Sequence, residues 1–86
     1  MNKIEIYSKS YCPFCKRAKA TLTRLGLAYE EYEITDSDKL TTEMRERSGR
    51  KTVPQIFIDG QHIGGGDDFH HALSTGALVH LIGERA

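Results

Sequence analysis

Apolar and polar positions alternate at the start of the chain. Ile4 and Ile6 interleave with Lys3, Glu5 and Tyr7, which predicts a strand over about residues 3–7. After a polar Ser8-Lys9-Ser10 turn the period changes. Ala18, Leu22 and Leu25 recur at i, i+4 and i+7, the spacing of a helix that buries one stripe. Pro13 stands where helices favour proline, Cys12 takes the cap, and Gly26 ends the helix. Ala28 to Ile34 reads as a second strand, although Tyr29, Glu31 and Tyr32 alternate poorly. Asp36, Ser37 and Asp38 each suit the cap of a second helix that runs through about Arg47 and closes at Gly49. Its apolar stripe, Leu40 and Met44, is thin. Val53-Pro54-Gln55-Ile56-Phe57-Ile58 predicts a third strand with proline at its start, where a strand tolerates it. Asp59-Gly60 is a hairpin signal, and Gln61-His62-Ile63 returns as a fourth strand. Gly64-Gly65-Gly66 forms a flexible corner. Asp67 or Asp68 then caps a third helix carrying Phe69, Ala72 and Leu73, and Leu78, Leu81 and Ile82 suggest one more helical segment.

The order is β-α-β-α-β-β-α. A strand–helix–strand unit implies a parallel pair and the Asp59-Gly60 hairpin an antiparallel one, so the expected architecture is α/β, a four-stranded mixed sheet flanked by helices. At 86 residues the chain is read as one domain, 1–86. A domain of this size is usually marginal in stability, and small secreted domains often offset that with several disulfides. This chain has two cysteines, Cys12 and Cys15, and a bridge between them closes too short a loop to staple the fold. The pair is explained by chemistry. Twelve Lys and Arg balance twelve Asp and Glu, which argues against a nucleic-acid or membrane-surface binder. The N-terminus reads as a strand and no apolar run has membrane-spanning length, so a cytoplasmic protein is expected.

A CxxC pair just after the first strand of a βαβ pattern is a thioredoxin-like redox signature. Cys12 at the start of a helix lies beside unsatisfied backbone N–H groups and the positive end of the helix dipole. These favour thiolate over thiol, and the thiolate is the nucleophile in disulfide exchange. Lys9, Lys16, Arg17 and Lys19 add positive charge nearby. Cys15, nearly one turn on, is expected to be more buried, less ionised, and suited to resolving a mixed disulfide formed on Cys12. A structural zinc site needs about four protein ligands. His62, His70, His71 and His80 would have to converge on the two cysteines, and all four read as surface histidines, so no metal is expected.

Three stretches, Ser10-Tyr11-Cys12-Pro13-Phe14-Cys15, Thr52-Val53-Pro54-Gln55-Ile56-Phe57-Ile58 and Ile63-Gly64-Gly65-Gly66-Asp67-Asp68, closely resemble the signatures of the dithiol glutaredoxins. The resemblance covers nearly all of the chain and is nearest to the bacterial glutaredoxin 3 group. It implies a thioredoxin fold and glutathione as reductant and co-substrate, with no tightly bound cofactor. It further implies that Pro54 follows a cis peptide bond and faces the cysteines. Thr52 and Val53 would then lie along the cysteinyl part of glutathione, the Val53 N–H and C=O pairing with it like a short added strand. Backbone N–H groups around Gly66, Asp67 and Asp68 would receive the γ-glutamyl carboxylate, and the two aspartates its ammonium. Lys9 would meet the glycyl carboxylate, helped by Arg50 or Lys51, and Phe14 would pack on the ligand. Two departures stand out: Phe14 replaces the family's usual tyrosine, and Gly66 replaces the third cysteine of many glutaredoxin 3 relatives.

The activity so implied is glutathione-dependent reduction of protein disulfides and protein–glutathione mixed disulfides. The expected protein partners are glutathionylated or disulfide-containing proteins, ribonucleotide reductase among them, met by a monomer. A redoxin served by thioredoxin reductase is the first rival, opposed by the Gly-Gly-x-Asp-Asp block and Lys9. A dimer holding an iron–sulfur cluster between two Cys12 thiolates and two glutathiones is the second. It is opposed by Pro13 and Cys15, where relatives with that role have glycine or serine near the motif.

Overall fold

The computed structural model describes residues 3–78. Seven elements follow one another: β1 (Ile4–Ser8), α1 (Pro13–Arg24), β2 (Glu30–Glu33), α2 (Asp38–Ser48), β3 (Gln55–Ile58), β4 (Gln61–Gly64) and α3 (Gly66–Ser74). The sheet order is β2-β1-β3-β4. β1 runs parallel to β2 and antiparallel to β3, and β3 pairs antiparallel with β4. This is the mixed sheet predicted from the hydrophobic pattern, in the thioredoxin arrangement. The helical segment predicted around Leu81 and Ile82 lies outside the described residues, as does His80.

Strand parity divides the core. Ile4 and Ile6 of β1 and Ile56 and Ile58 of β3 face one side and pack with Ala18 and Leu22 of α1, Phe69 of α3, and Leu78. Tyr7 and Phe57 face the other side and pack with Ile34 and with Met44 of α2. Two apolar layers on a five-residue strand explain why every residue of β1 is buried.

β2 is shorter than the predicted Ala28–Ile34 and lies at the sheet's edge. Its poor alternation has a physical source. Glu31, opposite Ile6, takes polar partners: the Ser8 hydroxyl and the Lys19 ammonium, both at 2.7 Å. Tyr32, opposite Tyr7, tilts onto the Tyr7 ring with centroids 4.9 Å apart. β3 begins at Gln55, two residues later than predicted, because Pro54 has no N–H for the ladder. Asp59 and Gly60 both have positive φ, 53° and 81°, the conformation of a tight hairpin turn.

Helix ends follow the sequence signals with one correction. Ser37 caps α2 by accepting the Leu40 N–H, and Gly49 closes it in the left-handed conformation. The N-cap of α3 is Gly65, in place of the predicted Asp67 or Asp68. Asp68 stands at the third helical position, and its carboxylate reaches back to accept the Gly65 N–H at 2.9 Å. A glycine cap brings no side chain of its own, so the aspartate supplies the whole contact.

Candidate active site

Cys12 is the N-cap of α1, with extended backbone (φ −84°, ψ 116°). Its N–H donates to the Lys9 carbonyl at 3.0 Å and its carbonyl accepts the Lys16 N–H at 3.1 Å. This places the sulfur over the open first turn, where it accepts the Cys15 N–H at 3.3 Å. Pro13, next in sequence, has no donor to compete for it. On its other side the Cys12 thiol donates to the Val53 carbonyl at 3.9 Å. Both cysteines are free thiols.

Cys15 is fully buried while Cys12 is 9% exposed. Burial, then the hydrogen bond with Cys12, pushes the Cys15 thiol up to about 12, and the Lys9 backbone and the Lys19 ammonium pull the other way. The two thiols are thus unequal: one at the surface end of the helix, one beneath it and reluctant to ionise. The sequence anticipates this difference in burial.

Three segments converge in front of Cys12. The turn after α2 brings Thr52 and Val53 to a cis Val53–Pro54 peptide, and Pro54 is buried. The start of α3 brings Gly65, Gly66, Asp67 and Asp68, and Phe14 of α1 stands 59% exposed at the rim. Together with Thr52, Val53 and Pro54 they line a groove of about 210 Å³. A Cβ on Gly66 would sit 3.5 Å from Pro54 Cγ and 3.8 Å from the Phe14 carbonyl, so the three segments meet at that glycine.

The structure therefore joins Phe14, Thr52, Val53, Pro54, Gly66, Asp67 and Asp68, predicted from distant parts of the sequence, in one groove beside Cys12. Lys9 is not part of its lining. Its ammonium lies 6.0 Å from the Tyr11 ring centroid. Lys19, expected to add charge near Cys12, is paired with Glu31. Arg50 bonds Asp68 at 2.8 Å and holds its carboxyl below the usual aspartate range, aided by the Gly65 N–H.

Two of the expected surface histidines are partly buried and have fixed partners. His62 bonds Gln55 at 2.8 Å and lies against the Phe57 ring, and burial lowers its pKa. His70 joins the Gly66 carbonyl at 2.7 Å to the Thr21 hydroxyl at 2.8 Å. Sequence reasoning missed the Arg50–Asp68 pair, the Gly65 cap and the His70 bridge. Only the glycine carried a signal, as the residue before a Gly-Asp-Asp helix start. His71, one residue on from His70, is exposed, as their 100° separation on a helix requires. Among the described residues, no three His, Cys, Asp or Glu side chains are placed to hold a metal, and no helix is long and apolar enough to cross a membrane.

This geometry has close counterparts. The glutaredoxin family model matches residues 4–63. Glutaredoxin 3 of Escherichia coli (strain K12) is 49% identical over 82 residues, which span 95% of this chain and 99% of the relative. Among solved structures, the buckwheat glutaredoxin–glutathione complex superposes with a TM-score of 0.85 at 35% identity, covering 96% of this chain and 78% of that one. The solution structure of glutaredoxin from Brucella melitensis gives 0.79 at 41% identity, covering 98% and 92%. On the family model and on these identities, this chain belongs to the glutaredoxin family.

Proposed function

We propose that glutathione lies in the groove with its sulfur at Cys12, and that the chain works as a glutathione-dependent thiol–disulfide oxidoreductase on protein disulfides and protein–glutathione mixed disulfides. The observation that carries the reading is the position of the Cys12 sulfur. It sits at the α1 N-terminus, within 3.9 Å of the Val53 carbonyl, where the groove begins. A peptide laid along Thr52 and Val53 adds to the exposed backbone as a short strand. A carboxylate at the far end meets the N–H groups opening α3, and an ammonium meets Asp67 and Asp68. Phe14 closes the rim. Lys9, placed outside the groove lining, serves the glycyl carboxylate only by swinging away from Tyr11.

The chemistry follows from the unequal thiols. The Cys12 thiolate attacks the glutathionyl sulfur of a mixed disulfide. A Cys12–glutathione disulfide forms, and the substrate's thiolate leaves with the electron pair and takes up a proton. A second glutathione thiolate then attacks the bound glutathionyl sulfur, releasing oxidised glutathione and restoring Cys12. With a protein disulfide, Cys12 attacks first and the Cys15 thiolate displaces the protein, leaving a Cys12–Cys15 bridge that two glutathiones reduce. On this reading the physiological substrates are glutathionylated and disulfide-containing proteins, ribonucleotide reductase included. They are met in the cytoplasm by a monomer with no tightly bound cofactor.

The test is a pair of serine variants. Cys15→Ser keeps turnover of a glutathionylated peptide and loses reduction of a protein disulfide. Cys12→Ser loses both. Loss of peptide turnover in Cys15→Ser would overturn the assignment of roles.

A further inference from the structure

We propose that Lys19 is a positioning charge for the resolving thiol: its ammonium, tethered to the sheet by Glu31, stabilises the Cys15 thiolate in the step that closes the Cys12–Cys15 disulfide. This deepens the reading above and rests on it.

Cys15 must lose its proton to act, yet it has no exposure to water. Such a thiol needs a nearby positive charge, and the dipole of α1 is already directed at Cys12. Lys19 is four residues further along α1, the separation at which helix side chains are neighbours, about 5–6 Å between Cβ atoms. It is also held, unlike a typical surface lysine. Its Nζ lies 2.7 Å from Glu31 Oε2, its side chain is 21% exposed, and the same carboxylate oxygen accepts the fully buried Ser8 hydroxyl at 2.7 Å. Glu31 stands opposite Ile6 in the β1–β2 register, so Ile6, Ser8 and Glu31 share the side of the sheet that α1 covers. Lys16 and Arg17, the other cations of this helix turn, are exposed.

The charged and titratable groups around Cys15 are few. From α1 come Cys12, whose sulfur opposes ionisation, and Lys19, which favours it; from the preceding turn comes the Lys9 backbone, also favourable. From β2 comes Glu31, whose charge is engaged by Lys19 and Ser8. The field of Lys19 is reciprocated: its own pKa is raised, by Glu31 first, then by Tyr29, and least by Cys15.

In the step concerned, the Cys15 thiolate attacks the Cys12 sulfur of a Cys12–S–S–R disulfide. The Cys12–Cys15 bond forms and the Cys12–SR bond breaks. The departing thiolate carries the electron pair and takes up the proton given up by Cys15. In this step Cys15 is oxidised from thiol to disulfide, the R sulfur is reduced from disulfide to thiol, and Cys12 stays at the disulfide level. Direct attack of Cys12 on a mixed disulfide, followed by a second glutathione, does not use Cys15. A charge that serves Cys15 therefore acts on the dithiol route alone.

The experiment compares Lys19→Met and Lys19→Arg with the parent. One assay follows closure of the Cys12–Cys15 disulfide after Cys12 is glutathionylated, in a single turnover near neutral pH. The other follows steady-state turnover of a glutathionylated peptide in the Cys15→Ser background. Loss of the charge shrinks the thiolate population, partly offset by the greater basicity of that thiolate, so each tenfold fall in thiolate slows closure by about threefold. Lys19→Met is expected to lower the ratio of closure to monothiol turnover on that scale, and Lys19→Arg to restore it. An unchanged ratio in Lys19→Met, or an arginine variant as slow as the methionine one, would overturn the proposal. A Cys15→Ser protein without peptide turnover would instead overturn the functional reading, and this inference with it.

Discussion

The guanidinium of Arg47 lies 4.0 Å from the centre of the Phe57 ring while its nitrogens donate to both oxygens of Glu5, at 3.3 and 3.1 Å. One side chain thus covers an apolar ring and neutralises a carboxylate that is 7% exposed. It also donates to the Tyr7 hydroxyl, which in turn bonds Glu43. α2 docks on the sheet through this network together with the buried Met44 and the partly buried Leu40.

Replacing Arg47 by Met keeps apolar cover over Phe57 but strips Glu5 of its cation, leaving only the Tyr32 hydroxyl at 2.8 Å. Breaking a fully buried pair costs 3–5 kcal/mol; with Arg47 29% exposed, about 2 kcal/mol is expected for Arg47→Met, read from urea unfolding at neutral pH. The pH dependence follows from the direction of the shift. Arg47 first, and the Tyr32 hydroxyl less so, hold the Glu5 carboxyl below its ordinary value near 4.5. Stabilisation from this lowering is full above that value and is lost as pH falls through the lower folded one. The gap in stability between parent and Arg47→Met should therefore narrow as pH falls below the ordinary glutamate value of 4.5. A gap that stayed constant as the solution was made more acid would show that the loss does not come from the Arg47–Glu5 charge interaction.

This network marks where the sequence stopped being informative. The strands β1 and β3 were legible because their alternation is apolar, and α1 because Ala18 and Leu22 repeat at helical spacing. α2 looked under-supplied with Leu40 and Met44 because its remaining contact is an arginine, whose long stem and flat head cover surface that a hydrophobicity pattern does not count. β2 was found but its bounds and alternation were blurred for the same reason in reverse, since Glu31 faces inward to Ser8 and Lys19. At the site, the cysteines and the Thr-Val-Pro and Asp-Asp blocks were legible as local strings. The Arg50–Asp68 and His70–Thr21 contacts were not, because each depends on how two segments distant in sequence approach one another.

The glycines of the Gly64-Gly65-Gly66 run are not equivalent. Gly64 has φ +125°, and a Cβ there would stand 2.5 Å from the Asp68 carboxylate. Gly64→Ala should cost about 1–3 kcal/mol through backbone strain, and should also displace Asp68 and raise KM for a glutathionylated peptide. Gly66→Ala meets only ordinary van der Waals distances, 3.5 Å to Pro54 Cγ. It should leave unfolding and KM nearly unchanged. A Gly66→Ala variant as damaged as Gly64→Ala would mean that the groove closes more tightly on its ligand than its shape indicates.

Asp68 offers a pH test of the ligand's ammonium contact. Arg50 foremost, and the Gly65 N–H, keep its carboxyl below the usual aspartate range. A contact that needs the carboxylate then survives into more acid solution than an ordinary aspartate allows. Arg50→Gln should move the acid limb of the KM profile toward higher pH. The pair is 48% exposed on both sides, so added salt should move the parent's limb in the same direction. An acid limb indifferent to both changes would exclude Asp68 as the ammonium's partner.

His70 ties the helix that carries the cysteines to the helix that opens the groove. Its Nδ1 is 2.7 Å from the Gly66 carbonyl, which can only accept, so Nδ1 carries a proton. Its Nε2 is 2.8 Å from the Thr21 hydroxyl, which also reaches the Arg17 carbonyl at 3.1 Å. The ring, itself on α3, is thus a strut that joins the last turn of α1 to the first residue of its own helix, and Gly66 is where α1, the cis-proline loop and α3 meet. Losing the strut should cost about 1–2 kcal/mol for two hydrogen bonds and free the α3 N-terminus to drift from Pro54. Drift there weakens ligand binding without touching Cys12, so His70→Ala should raise KM for a glutathionylated peptide at nearly constant kcat. Asparagine and glutamine divide the two contacts. The amide nitrogen of asparagine falls near the position of Nδ1, and that of glutamine near Nε2. His70→Asn should hold KM close to the parent while losing some stability, whereas His70→Gln should raise KM as alanine does. A rise in His70→Asn with none in His70→Gln would show that the Thr21 contact, and not the hold on Gly66, positions the groove.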